Sequence, residues 1–269
     1  MYDGLILHGG LTDRERGLLT TYKEVRRRGI PFYIHWNHPF ELTDYLQPAT
    51  FDWRIDPEEI SYSAEDSFPV LIQDHRKVIN RLRLTGALYK CRKQTLVYSN
   101  SDNGRGCYAE LYKELFRPTE RLEKAVKIHS GQLGEHYWAF SFRFIGLLGD
   151  FKDLPDYILP EEERKRFLSK VVAEFRKLLN LVPDGYKVLV ATDSPEFLKL
   201  APSIDSRVYV VDGDIRHLDI SESKNEDVWL KTFVDQHLLM HAEKVILMRT
   251  GSMFRSGFPR FAAEVGGAE

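Results

Sequence analysis

The sequence predicts an α/β protein in two doubly wound halves, and three observations carry the prediction. An apolar run, Leu5-Ile-Leu-His8, ends in Gly9-Gly10 and leads straight into a helical pattern with Leu18, Leu19, Tyr22 and Val25 on one face. From Tyr137 onward short apolar runs alternate with amphipathic stretches, an order that closes into a parallel sheet covered by helices. A glycine-rich turn at Gly131-Gln-Leu-Gly134 separates the two regions and divides the chain into 1–133 and 134–269.

Composition limits the partners. A chain of 269 residues that is 43% apolar can bury two modest cores. Its 38 lysines and arginines nearly balance 40 aspartates and glutamates, which argues against a nucleic-acid or anionic-membrane surface and leaves room for a local basic pocket. Cys91 and Cys107 have neither metal-ligand spacing nor the density of a disulfide scaffold, so a reducing compartment is expected. Gly4-Leu-Ile-Leu7 is too short for a signal peptide, and no apolar run reaches the ~20 residues of a membrane helix. The expectation is a cytoplasmic protein with no membrane-spanning segment.

Taken in order, Thr12 and Glu15 fit a capping box for a helix that runs to Gly29. Gly9-Gly10 either let a ligand approach the backbone beside Asp13 and Arg14, or only make the tight turn. Pro31-Phe-Tyr-Ile-His-Trp36 reads as the next strand, and Pro39 to Leu42 as a short amphipathic turn. Residues 47–68, rich in proline, aspartate and serine, read as loops with short strands that suit a lid or an acceptor-facing surface. Asp74 to Tyr89 is helical by pattern, with Val78 and Leu82 apolar and Arg76, Lys77, Arg81 and Arg83 on a solvated face, and Thr95 to Tyr98 is a strand. The Gly-x-Gly within Asn100 to Gly106 is a polar loop. Helices over Tyr108 to Phe116 and Thr119 to Ile128 are separated by Arg117-Pro118.

The second half holds the chemistry. Tyr137-Trp-Ala-Phe-Ser-Phe-Arg-Phe-Ile145 is an apolar strand carrying one cation, Arg143. Such a guanidinium must meet a carboxylate, a row of carbonyls or an anionic ligand, and Asp150 is the acid at hand for the first option. Glu161 to Leu181 is an amphipathic helix with Phe167, Val171, Phe175 and Leu178 on one face, and Tyr186 to Ala191 is the following strand. Ser194 caps the next helix with Pro195 in its first turn, so Asp193 stands at the carboxyl end of a parallel strand. Open α/β sheets bind ligands at that edge; Asp193 either reads a base such as guanine or adds a second helix cap. Arg207 to Val211 is a strand, and Asp212-Gly-Asp214 reads as a turn rather than a metal site. Asp227 to His241 is a helix. After the apolar run from Val245, Arg249, the small-residue turn Thr250-Gly251-Ser252 and the helix opening at Ser256-Gly257 gather arginines and free backbone N–H groups, chemistry suited to a phosphate.

These pieces together resemble the fucosyltransferase superfamily that includes bacterial α-1,2-fucosyltransferases and the nodulation-factor and core α-1,6 enzymes. Gly9-Gly-Leu-Thr-Asp-Arg14 resembles the family's amino-terminal glycine turn, and Phe140-Ser-Phe-Arg-Phe144 the strand carrying its donor-binding arginine. Ala191-Thr-Asp-Ser194 and Arg255-Ser-Gly-Phe-Pro-Arg-Phe-Ala-Ala-Glu264 resemble its second and third motifs. Ser141 stands where the family usually has histidine, Phe144 where many members have a second arginine, and Gly146 near where an acidic residue often follows.

The resemblance implies two Rossmann-like domains facing a cleft, a GT-B-like fold, with 1–133 on the acceptor side and 134–269 binding the donor. It also implies an enzyme of polysaccharide biosynthesis that moves fucose from GDP-fucose to a glycan hydroxyl with inversion, using neither metal nor cofactor. Arg143 is then the main pyrophosphate contact, with Ser256 and Gly257 as backbone cradle. Asp193 reads the guanine edge, Gly9, Gly10 and Ser141 join the donor site, and Arg14 and Arg260 serve either there or in ion pairs. Asp13 is the first choice of base for the acceptor hydroxyl and Asp150 the second. A nucleotide- or glycan-binding module without transfer, and a transferase for another nucleotide sugar, stay open as alternatives.

Overall fold

The computed structural model describes residues 9–73, 77–90, 92–101, 107–151, 157–216, 218 and 226–268. The expected strand Leu5 to His8, Cys91 and the Gly-x-Gly of the 100–106 loop lie outside these. Two compact units form, Met1–Arg117 and Pro118–Glu269.

In the first unit, α1 (Leu11–Arg26) is followed by the short β1 (Leu46–Pro48), then β2 (Ser67–Ile72), α2 (Lys77–Leu88), β3 (Gln94–Ser99) and α3 (Tyr108–Leu115), with β4 (Phe116–Pro118) pairing β1 at the unit's end. β2 and β3 run parallel in register from Ser67 beside Gln94 to Ile72 beside Ser99. Val70 and Ile72 bury against Leu84 and Ala87 of α2. α1 meets the end of β3 through Gly17, where an added Cβ would stand 2.6 Å from the Ser99 carbonyl oxygen.

Three local expectations change. The Thr12–Glu15 capping box does not form, because the helix already starts at Leu11 and Gly10 is its N-cap without a side-chain bond. The expected strand 31–36 reduces to one parallel bridge, Ile34 to Arg54. Phe32 is held by Tyr22 at 5.2 Å between ring centroids and Trp36 by Phe40 at 5.7 Å, so these rings pack locally and the ladder does not extend. On α2 the packed side is Asn80, Leu84 and Ala87, leaving Val78 and Leu82 exposed.

The second unit begins with α4 (Glu120–Leu133), capped by Thr119, whose side chain accepts from Leu122 N. Gly131 lies inside this helix, and the chain divides at Arg117 and Pro118 rather than after Leu133, since α4 packs on α7 (Glu226–His241). The remaining elements are β5 (Tyr137–Phe142), α5 (Glu161–Leu179), β6 (Lys187–Thr192), α6 (Pro195–Leu200), β7 (Val208–Val210), β8 (Lys244–Met248) and α8 (Phe258–Gly266). Four parallel strands lie in the order β7-β6-β5-β8, which in chain order reads third, second, first, fourth.

The strand alternation decides which helix covers which face. Phe140 and Phe142 point to one side and meet Phe175 of α5 at 5.2 and 5.0 Å and, for Phe142, Phe197 of α6 at 4.5 Å. Tyr137, of opposite parity, donates its hydroxyl to the Leu238 carbonyl of α7 at 2.6 Å. The sheet is therefore covered on both faces, as a doubly wound unit requires.

α8 approaches α7 so closely that a Cβ on Gly266 would fall 1.8 Å from the Met240 carbonyl oxygen. Gly266→Ala is expected to destabilise the second unit by about 1–3 kcal/mol, the usual scale of overpacking, read as a lower urea midpoint with unchanged slope.

Candidate functional site

In an open parallel sheet the ligand crevice lies outside the carboxyl ends of the strands, where the strand order reverses. Here that point falls between β5 and β8, the first and fourth strands in chain order. The two segments leaving it are the 143–151 loop and the 249–257 turn, and they are tied together: Phe254 N donates to the Arg143 carbonyl at 3.1 Å.

Arg143 follows the last residue of β5. Its Nη1 lies 3.4 Å from Asp193 Oδ2, and its side chain is 23% exposed, so the cation reaches the sheet edge instead of being sealed in the core. The guanidinium carbon stacks 5.3 Å from the centre of the Phe151 ring, which fixes its plane. A pair at 3.4 Å is looser than the 2.7–2.9 Å of a full charge-assisted bond. The guanidinium is thus oriented and remains accessible to an anion.

Asp193, expected at the guanine edge, is engaged within the protein. Its Oδ1 accepts from Phe144 N at 2.8 Å and its Oδ2 from Ile145 N at 2.8 Å, so both oxygens are engaged by the loop that carries Arg143. Ile145 adopts φ 59°, a left-handed conformation that a β-branched side chain enters only under constraint. Two successive N–H groups turned toward one anion form a nest, and here the anion is the protein's own carboxylate. Burial pushes the Asp193 carboxyl up to about 6, while Arg143 and the two N–H groups pull the other way. Asp193 thus ties the start of the 143–151 loop to the end of β6.

Asp150 is also spoken for. Its Oδ2 accepts from Ser194 Oγ at 2.5 Å and from Glu196 N at 2.8 Å, making it a cap for α6 alongside Ser194, whose Oγ accepts from Phe197 N at 3.0 Å. Among the described residues it makes no ion pair with Arg143, whose carboxylate neighbour is Asp193. Ser141 sits inside the ladder between Ala191 and Leu247 and is buried, one residue short of the strand end.

The 249–257 turn brings Ser256 and Gly257 to the start of α8, with Gly257 as N-cap and Pro259 in the first turn. Ser256 Oγ accepts from Phe258 N at 3.2 Å and Pro259 has no N–H, so the helix end presents fewer donors than its sequence suggests. Arg249, Arg255, Arg260 and Phe254 are exposed around this turn.

The first unit has its own edge of the same kind. The carboxyl end of β3 runs into Asn100, and an added Cβ on Gly9 would come within 3.2 Å of the Asn100 side chain. Gly10 opens α1 there, and Asp13, half exposed, stands 3.7 Å from Arg16 in the first turn. Arg14 is committed to the fold. It donates to the Gly9 carbonyl at 3.1 Å and the His38 carbonyl at 2.7 Å and lies over the Trp36 ring.

The backbone donors of Phe144 and Ile145, the ring of Phe151 and the exposed Phe254 were not foreseen. An apolar strand followed by two glycines gives no sign that Ile145 takes the left-handed turn. Among the described residues no three histidines, cysteines or acids gather to hold a metal ion, and no helix is long and apolar enough to cross a membrane.

No family model and no curated protein matches this sequence. Solved structures do. A NodZ α-1,6-fucosyltransferase soaked with GDP-fucose superposes with a TM-score of 0.66 at 16% identity, over 96% of this chain and 89% of that one. NodZ from Bradyrhizobium gives a TM-score of 0.64 at 16% identity, covering 94% and 89%. A variant of Arabidopsis thaliana FUT1 in complex with GDP gives 0.61 at 10% identity, covering 97% and 67%. The chain has the fold of these fucosyltransferases.

Two outcomes follow from the Asp193 clamp. Asp193→Ala leaves two buried N–H groups and a cation without their anion and should cost about 3–5 kcal/mol in urea unfolding. Because the folded carboxyl is raised from 3.8 to about 6, the stability added by its protonation is fully present below pH 3.8 and is lost as pH rises through about 6. Asp193→Asn should remove that slope from the stability profile between those two values.

Proposed function

We propose, from the shared fold and the strand-end arginine together, that this protein transfers a fucosyl group from GDP-fucose to a glycan hydroxyl, with inversion and without a metal. The observation that carries the reading is Arg143, stacked on Phe151 at the point where the strand order reverses and bonded through its carbonyl to the 249–257 turn. The neighbours bearing this fold include a NodZ soaked with GDP-fucose and a FUT1 in complex with GDP. The boundary chemistry agrees: a diphosphate leaving group needs a fixed cation where charge accumulates, and the sheet edge provides one.

The chemical step breaks the bond between the sugar's anomeric carbon and the β-phosphate oxygen, and the bonding pair leaves with GDP. Arg143 meets the charge that grows on that phosphate, and being already oriented by Phe151 and the Asp193 clamp, it needs little rearrangement as the charge develops. Arg260, exposed on the first turn of α8, and the backbone around Gly257 are the accompanying contacts. The acceptor oxygen attacks from the face opposite the leaving group, which inverts the anomeric centre, and gives up its proton. Asp13 is the proposed recipient, because it is half exposed at the first unit's strand edge, whereas Asp150 is held as a helix cap. Asp193 acts through Arg143, and Arg14 through the Gly9 turn that it holds. Ser141, enclosed in the ladder, acts on the strand end and not on the nucleotide.

Arg143→Ala should remove GDP binding, by at least tenfold if the lost contact is worth about 1.4 kcal/mol, as measured by calorimetry. Unchanged affinity would take Arg143 out of the donor site. Asp13→Asn should slow transfer to acceptor while leaving GDP affinity and the slow hydrolysis of donor in place. Donor hydrolysis also separates a transferase from a module that only binds, since the latter would release no fucose.

A further inference from the structure

The first unit carries a cavity of about 340 Å³ at the opposite end of α1 from the Gly9-Gly10 turn. Its walls are aromatic: Tyr22 is stacked with Phe51 at 5.6 Å and meets Phe32 at 5.2 Å, and Tyr33, 54% exposed, stands at the rim. Charged groups border these rings. Arg26 pairs with Glu110 at 3.0 Å and Glu114 at 2.9 Å, Tyr22 donates to Glu114 Oε1 at 2.5 Å, and Asp52 faces the cavity while pairing Arg54 at 2.6 Å.

We propose that this cavity is a carbohydrate-binding subsite that holds one or two sugar rings. A pyranose has an apolar face of C–H groups that packs on an aromatic ring and an equatorial belt of hydroxyls that needs both acceptors and donors. The cavity offers both, rings on its walls and a guanidinium with carboxylates at its border. An anionic ligand is opposed by the three acids, and a quaternary ammonium is opposed by Arg26 in the wall itself. A purely apolar partner would desolvate the half-exposed ion pairs of Arg26 and Asp52 and offer them no hydrogen bond. The volume lies at the lower end of the ~300–1,000 Å³ typical of small-molecule pockets, which matches a mono- or disaccharide.

The subsite is separate from the first unit's strand edge. Tyr22 lies twelve residues along α1 from Gly10, which at 1.5 Å per residue is about 18 Å. A single sugar cannot touch both. The cavity therefore recognises either a distant residue of a longer glycan or a free saccharide, and the two differ in whether an oligosaccharide binds more tightly than its monomer.

The test is saturation-transfer NMR on the full chain without nucleotide, so that its outcome is independent of the donor reading. The probes are methyl glucoside, methyl galactoside, N-acetylglucosamine, cellobiose and lactose. At least one should give a saturable signal, weakened roughly threefold to tenfold by Tyr33→Ala or Phe51→Ala, the scale of one lost ring contact. Melting temperature checks that each variant is folded; should Phe51→Ala unfold, Tyr33→Ala and Asp52→Asn, both on exposed side chains, carry the test. Absence of signal with every probe, or a signal that these folded variants leave unchanged, overturns the proposal.

Discussion

The buried carboxylate of Asp193 organises the carboxyl edge of the second unit's sheet. It gathers Phe144 N and Ile145 N at 2.8 Å each and stands 3.4 Å from the Arg143 guanidinium. A β-branched residue at φ 59° stores about 1–3 kcal/mol of strain, and hydrogen bonds to a charged group contribute about 1.5–3 kcal/mol each. The clamp therefore outweighs the strain and turns the chain sharply at the end of β5. Without that turn Arg143 would continue the strand; with it, the side chain leaves the sheet edge in one orientation.

The strand order determines why that orientation has a use. Because β5 is the first strand and β8 the fourth, placed side by side, the helices that follow β5 and precede β8 cover opposite faces, and the edge between the two strands is left for loops. The 143–151 and 249–257 segments occupy it and share a backbone hydrogen bond from Phe254 N to the Arg143 carbonyl. The Arg164 guanidinium donates to the Leu148 carbonyl at 2.9 Å and braces the first of these loops from α5. The same architecture that buries Phe140, Phe142 and Phe175 thus leaves the Arg143 guanidinium at the rim.

Much of this was legible from local pattern. The helices α3, α5 and α7, the parallel strands β5, β6 and β8, and the Ser194-Pro195 helix start each announce themselves by periodicity or capping chemistry, which short-range sequence contains. Arg143 was legible because a cation in an apolar run demands an explanation. Its partner was not: Asp150 is nearer in sequence, yet Asp193, at the end of the neighbouring strand, is nearer in space once β5 and β6 pair in register. Nor does anything local show that two backbone N–H groups will take both oxygens of Asp193, the residue expected to read guanine. Thr12 and Glu15 spell a capping box, but the N-cap falls two residues earlier, at Gly10. Val78 and Leu82 look like a packed stripe, but the partners on β2 lie over Leu84 and Ala87 instead.

The central claim is that a nucleoside diphosphate binds where β5 and β8 end. Backbone amide NMR of the labelled chain during GDP titration tests it most directly. The account predicts saturable shifts at the amides of 143–145 and 254–257, with those of α2 unmoved. Saturable GDP shifts that bypass both segments, or none at any concentration that keeps the chain folded, would contradict it.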